Sequence, residues 1–188
     1  GLGDVYKRQL RTWARVMDVH DGDSVTLVIP LRSGGELCRF AARLGGIDAC
    51  ELRSCDPALR AQAVRAQKRL FDLVVNEGDD DDDASAIDDT HRTKTAAETK
   101  RFLSSERVCL VWTECAEMDK YGRLLVTLRS EPDAPSSFAD ILIAEGLAYE
   151  YHGATKRTEA EQKHDLIVTP KSAILESWTN DNDETNPD

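Results

Sequence analysis

Two runs rich in Val, Thr, Ile and Trp, residues 12–19 and 24–31, stand on either side of His20-Asp21-Gly22-Asp23. Gly and Asp between two β-prone runs are turn chemistry, so the segment predicts a β-hairpin. Ser33-Gly34-Gly35 marks a second turn. Residues 37–47 then read as a third strand, with Gly45 and Gly46 marking a bend or a close backbone approach.

At Pro57 the period of the sequence changes. Leu59, Ala63, Ala66, Leu70, Leu73 and Val74 recur at spacings of three and four, with Arg60, Arg65, Lys68 and Arg69 between them. That pattern predicts an amphipathic helix over 57–75, with Asp56 as N-cap and Pro57 in the first turn. An acidic loop follows over 76–92, then a shorter helix over 95–104. Residues 108–114 and 124–128 read as two further strands, joined by Met118-Asp119-Lys120-Tyr121-Gly122. After a loop with two prolines, Ser137 caps a helix over 138–145 that stops at Gly146. Residues 155–164 read as a polar helix, and 173–178 as a segment that packs back onto the body. Three strands, a helical insertion, two strands and a further helix predict an α+β, mainly β chain. The architecture is a five-stranded OB-type Greek-key barrel with inserted and C-terminal helices.

The length of 188 residues suits one domain with a sizeable core. Its expected limits are 10–168, with an acidic tail over 169–188. Residues 1–9, GLGDVYKRQ, resemble at Asp4 to Gln9 a translated sequencing adapter and are set aside, so the natural start is expected to differ from Gly1. No apolar run approaches the ~20 residues of a membrane span. The net charge of −11 is unusual for a chain that handles nucleic acid, but its placement matters more than its sum. Residues 76–90 and 176–188 hold 13 of the 35 acidic side chains and none of the 24 basic ones, so the remainder carries a slight basic excess. Such acidic runs are usually solvated, and they are also able to compete with nucleic acid for a basic cleft. The run Asp79 to Asp83 lacks EF-hand spacing, and His20, His91, His152 and His164 share no metal-ligand spacing. Cys38, Cys50, Cys55, Cys109 and Cys115 form no C-x-x-C pair. Their odd number suggests free thiols in a reducing compartment rather than a disulfide framework.

The chemistry-bearing residues are dispersed. Asp21-Gly22-Asp23-Ser24 lies at the first turn. Arg43-Leu44-Gly45-Gly46-Ile47-Asp48-Ala49-Cys50-Glu51 begins within the third strand and runs past its end, Asp119-Lys120-Tyr121-Gly122-Arg123 lies between the later strands, and Gly146-Leu147-Ala148-Tyr149-Glu150-Tyr151 follows the helix. Asp23, Asp48 and Glu51 are hard oxygen donors suited to Ca²⁺ or Mg²⁺. Arg43 and Arg123 carry forked cations suited to a phosphate's oxygens. Two arginines, a metal and a spare carboxylate are the parts that phosphodiester hydrolysis needs. Taken singly, Asp-Gly-Asp is an ordinary hairpin turn, Asp-Lys-Tyr-Gly-Arg an ordinary loop, and an Arg before an Asp a strand-end ion pair.

In this order the four motifs, D-G-D-[ST], R-x-x-x-[IV]-D-x-x-E, D-K-Y-G-R and G-L-A-Y-x-Y, resemble the thermonuclease (staphylococcal-nuclease-like) family, over about residues 13–156. The resemblance implies a Ca²⁺-dependent endonuclease that cuts single-stranded or unpaired DNA and RNA and leaves 3′-phosphates. By position it implies Asp23 and Asp48 as carboxylate metal ligands and Ala49 as a ligand through its main-chain carbonyl. Glu51 takes the place of the residue that holds or activates water, and Arg43 and Arg123 those of the phosphate clamps. Lys120 and Tyr121 match contacts to a terminal phosphate, and Tyr149 and Tyr151 match residues flanking a base. Stacking on tyrosine is worth ~1–3 kcal/mol per base and reads no sequence.

Two departures stand out. Cys50 occupies a position where that family usually has Pro, which removes a fixed φ from the loop bearing Asp48 and Glu51. On that ground the loop is expected to be looser, Cys50→Pro to raise Ca²⁺ affinity, and soft metals to inhibit. The stretch between Glu51 and residue 108 is also long, with two helical segments and an acidic loop. Lys156, close behind the tyrosine pair, reads either as a phosphate contact or as a surface lysine. The alternative function is a catalytically impaired OB-type module that binds nucleic acid. A sugar- or peptide-binding OB domain is a third reading, but it has no use for the arginines and carboxylates. A monomer is the expected state.

Overall fold

The computed structural model describes residues 10–31, 36–75, 103, 109–153 and 155–168. The strands are β1 (Arg11–Val19), β2 (Ser24–Pro30), β3 (Leu37–Leu44), β4 (Ile47–Ala49), β5 (Leu110–Met118), β6 (Leu124–Arg129) and β7 (Ala148–Glu150). The helices are α1 (Pro57–Val75), α2 (Phe138–Ala144) and α3 (Glu159–Lys163), the last running into a π-type turn over His164–Val168.

Strands β1, β2, β3, β6 and β5 close into a barrel in that order. All pairs are antiparallel except β3 with β6, which are parallel and close the OB-type circuit. The period of two is visible in burial. Ala14 and Val16, Val25, Leu27 and Ile29, Ala42 and Leu44, Val111, Val126 and Leu128 are buried, and the residues between them are more exposed, apart from Thr26, which is also buried. Closure leaves no free edge in this sheet, and burial of these aliphatic side chains is the main stabilising term, each worth ~1.5–3 kcal/mol.

Helix α1 forms over the predicted residues. The Asp56 carboxylate accepts the N–H groups of Ala58 (2.8 Å) and Leu59 (3.4 Å), satisfying two otherwise unpaired donors, and Pro57 opens the first turn. Its buried face is Leu59, Gln62, Ala63, Ala66, Leu70 and Val74. Gln62 has no apolar reason to be there. It donates to the Gly146 carbonyl (2.7 Å), fastening α1 to the turn after α2. Helix α2 is capped by Ser137, whose hydroxyl accepts the Asp140 N–H while Asp140 accepts the Ser137 N–H, a reciprocal capping box.

Three boundaries differ from the sequence expectation. The third strand is broken at Gly45-Gly46, with Gly46 at φ +82°, so that residues 47–49 become a separate strand, β4, which pairs with β7 rather than continuing in the barrel. Strand β5 starts at Leu110 and runs to Met118, past a register shift between Cys115 and Met118. The polar helix begins at Glu159, because Thr158 and Glu161 form a capping box there. The second turn at 33–35, the acidic loop, the segment 173–178 and the helix expected over 95–104 lie outside the described residues, apart from Leu103, which is helical and buried in the core. No helix among the described residues is long and apolar enough to cross a membrane.

Candidate active site

The site grows from the first hairpin. The Asp21 carboxylate accepts the Asp23 N–H (3.1 Å), a short-range bond that shapes the turn and leaves Asp23 buried at the start of β2. Gly22 is required by space: a Cβ there would stand 2.6 Å from the Ala66 Cβ on α1 and 2.9 Å from the Ala49 Cβ on β4. The turn, the helix and β4 therefore meet at one hydrogen-sized gap. Arg43 pairs with Ser24 across β2 and β3, so it stands beside Asp23.

One guanidinium nitrogen of Arg43 does most of the joining. Nη2 lies 2.7 Å from Asp23 Oδ2, 2.5 Å from Asp48 Oδ1 and 3.3 Å from the Ile47 carbonyl. Asp23 Oδ1 accepts from the Ser24 hydroxyl (2.8 Å). Asp48, in β4, accepts the Tyr149 hydroxyl on Oδ2, and the Lys156 ammonium lies 3.2 Å from that same oxygen. Lys156 also donates to Glu51 Oε1 at 2.6 Å. The Arg157 guanidinium lies 4.5 Å from the centre of the Tyr149 ring, within cation–π range.

The loop after β4 is fastened from the far end of the chain. Ser54 donates to Glu159 Oε1 (2.6 Å) and Lys163 to Asp56 Oδ2 (2.7 Å). The Cys50 side chain is buried with Leu59, Ala63, Tyr149 and Leu166. Packing thus occupies the place where a proline ring would have fixed φ. Burial, aided by the nearby Asp48 charge, pushes the Cys50 thiol up to about 11, so it is protonated at neutral pH.

The electrostatics follow from four carboxylates, Asp21, Asp23, Asp48 and Glu51, facing Arg43 and Lys156. Burial, with the neighbouring Asp21 charge, raises Asp23 to about 7 despite Arg43. For Arg43 burial works against the charged form, and Asp23 and Asp48 overcome it, so its proton is held more firmly than usual. Lys156 is likewise raised: burial opposes, and Glu51 and Asp48 prevail. Burial and the Asp48 carboxylate push the Tyr149 phenol far above its ordinary value, so it acts as a donor.

The residues expected from the sequence fall into two groups. Asp23, Arg43, Asp48, Glu51 and Tyr149 come together. Ala49 is buried in β4 with its Cβ against the Gly22 turn, so any contribution to a ligand must come from its carbonyl. Lys120, Tyr121 and Arg123 cluster around Asp119, which accepts the N–H groups of Tyr121 (2.8 Å) and Arg123 (2.9 Å) and Arg123 Nε (2.8 Å). Lys120 and Arg123 lie 5.1 and 5.5 Å from the Tyr121 ring, which is 72% exposed. Arg123 immediately precedes β6, the strand whose Leu125 is the register partner of Arg43. Tyr151 is half-buried, with its N–H on the Gly46 carbonyl (2.8 Å). The sequence assigns no role to Asp21 or Arg157 and allows two for Lys156, a phosphate contact or a surface lysine. Asp21 was findable as the first residue of the turn motif, whereas nothing local marks Arg157.

A hard cation suits this donor set in part. Among the described residues no three His, Cys, Asp or Glu side chains form a metal cage. Asp23 and Asp48 nevertheless converge on a single cationic nitrogen. Two such carboxylates, a main-chain carbonyl and added water or phosphate oxygens are ligands of the Ca²⁺ type. No protein-family model matches the chain, and no curated protein matches it.

Proposed function

We propose that the chain is a Ca²⁺-dependent endonuclease that hydrolyses phosphodiester bonds of single-stranded or unpaired DNA and RNA, leaving 3′-phosphates, and that it acts as a monomer. The observation that carries this reading is the convergence of Asp23 and Asp48 on Arg43, with Glu51 one short loop away. A structural ion pair needs one acid for one base; here two buried acids converge on one arginine.

Asp23, Asp48 and the Ala49 carbonyl are the residues that would hold Ca²⁺, which supplies Lewis-acid stabilisation of negative charge on the phosphoryl oxygens. Arg43 presents a fork that matches the equatorial oxygens of the phosphate, and Arg123 offers a second one from the next strand. Glu51 is 60% exposed at its side chain, so water reaches it, and its carboxylate accepts the proton of the attacking water. The water oxygen would bond to phosphorus as its proton passes to Glu51, the P–O5′ bond would break, and the departing 5′-oxygen would take a proton from solvent. Lys120 and exposed Tyr121 suit contact with a terminal phosphate. Half-buried Tyr151 would flank a base, and Tyr149, buried under Arg157, orients Asp48.

The test is cleavage of single-stranded DNA and RNA in Ca²⁺ or EGTA, beside Arg43→Ala and Glu51→Ala. Ca²⁺-dependent cutting lost in both variants supports the reading. Nucleic-acid binding without cutting favours the alternative, an impaired OB-type binding module, a reading that draws on the engagement of Arg43 by its own acids.

A further inference from the structure

Lys156 bridges the two carboxylates to which the proposed reaction gives different jobs. Its ammonium lies 3.2 Å from Asp48 Oδ2 and 2.6 Å from Glu51 Oε1. It arrives from the segment between β7 and α3, more than a hundred residues along the chain from Glu51. The segment is tied down on both sides of that contact. Before it the Tyr151 N–H donates to the Gly46 carbonyl (2.8 Å), and after it Arg157 sits on the Tyr149 ring and Glu159 and Lys163 hold Ser54 and Asp56. Lys156 is therefore delivered to the carboxylates by a braced backbone, although its side chain is 41% exposed.

We propose that Lys156 is a resident counter-cation that a divalent cation must displace, so that metal loading at Asp48 and release of Glu51 are one event. The inference rests on the metal-dependent reading above. Its physical basis is competition. A lysine ammonium and a divalent cation both seek the Asp48 and Glu51 oxygens, and two cations a few ångströms apart in a partly buried site repel strongly. Displacement is cheap because the ammonium is on a flexible four-carbon stem at the surface, whereas Arg43 is largely enclosed. Once Lys156 leaves, Glu51 loses the partner that occupies its Oε1 and becomes free to take a proton from water.

The experiment is calorimetric titration of Ca²⁺ into the intact chain and into Lys156→Met and Lys156→Arg, with thermal unfolding of each in EGTA. Lys156→Met is expected to bind Ca²⁺ on the order of ten-fold more tightly, the size set by removal of one like charge a few ångströms away. Lys156→Arg is expected to bind as the unchanged protein does. In EGTA, Lys156→Met is expected to melt lower, because the acids lose their counter-charge. Ca²⁺ binding that is unchanged or weaker in Lys156→Met overturns the inference while leaving the metal-dependent reading standing. Ca²⁺ binding by Lys156→Met alone supports the inference, with the lysine excluding metal from the unchanged chain. No binding by any of the three overturns both.

Discussion

Asp48 and Tyr149 are direct cross-strand partners in the two-stranded β4–β7 ladder, and the Tyr149 hydroxyl donates to Asp48 Oδ2. Register alone places both side chains on one face, so the hydrogen bond is a product of strand pairing and not of a chance rotamer. Tyr149→Phe removes the donor but keeps the ring. The loss of a bond to a buried carboxylate is expected to cost about 1.5–3 kcal/mol, read as a lower urea midpoint with unchanged slope. An unchanged midpoint would show that Asp48 finds an equivalent donor.

Arg43 carries the charge balance of two buried acids. Arg43→Ala is expected to destabilise the protein by about 3–5 kcal/mol in EGTA, because Asp23 loses its cation and Asp48 keeps only Lys156. Part of that loss is expected to return on addition of Ca²⁺, which binds only the folded form. Thermal unfolding with and without Ca²⁺ reads both effects, and equal loss in the two conditions would argue against a cation between these acids.

Gly22 sits where the hairpin turn, α1 and β4 touch. Gly22→Ala places a Cβ inside contact distance of Ala66 and Ala49, and overpacking of this kind costs about 1–3 kcal/mol. Because the displaced neighbours are the turn of Asp23 and the strand of Asp48, Ca²⁺ affinity is expected to fall along with the melting temperature. A variant that melts as before, with affinity unchanged, would show that the gap relaxes without moving either acid.

Helix α2 gives a pH dependence separate from the site. The Ser137 hydroxyl and N–H, opposed by slight burial, hold the Asp140 carboxyl below its usual value. A depressed folded value means that the contribution is present above the unfolded carboxylate range and is lost as pH falls through the folded value. The stability gap between the protein and Asp140→Asn is thus expected to be fully open at neutral pH, at about 1 kcal/mol or less for an exposed cap, and to close in acid. Urea midpoints at the two pH values check it; a gap that widens in acid would reverse the assignment.

The sequence showed most clearly those features whose cause is local. Helix α1 is bounded by Asp56 and Pro57 and striped by six apolar residues, all within one window, and it forms where that window predicts. Strands β1 and β2 and the turn between them follow from alternation and from Asp21 to Asp23. Strand β4 was hidden inside the third run, because the decision to leave the barrel is made by pairing with β7, a hundred residues later. The same distance hid the partners of the site. Lys156 and Arg157 lie in a polar stretch with no periodic signal, and only the fold brings them to Glu51 and Tyr149. The same distance hides the Tyr149 partner: nothing local to G-L-A-Y-x-Y reveals that its hydroxyl donates to Asp48.

The site's two halves are separated by 101 residues at the Tyr149–Asp48 bond and 105 at the Lys156–Glu51 contact. Such long-range pairings form late in folding. During synthesis the chain emerges from its N-terminal end, so Asp23, Arg43, Asp48 and Glu51 are all exposed to the ribosome's surroundings before Tyr149 and Lys156 exist. A nascent chain in that interval holds the acids without the strand that orders them. The site is therefore completed only when translation has passed Tyr149 and Lys156, the last residues that build it.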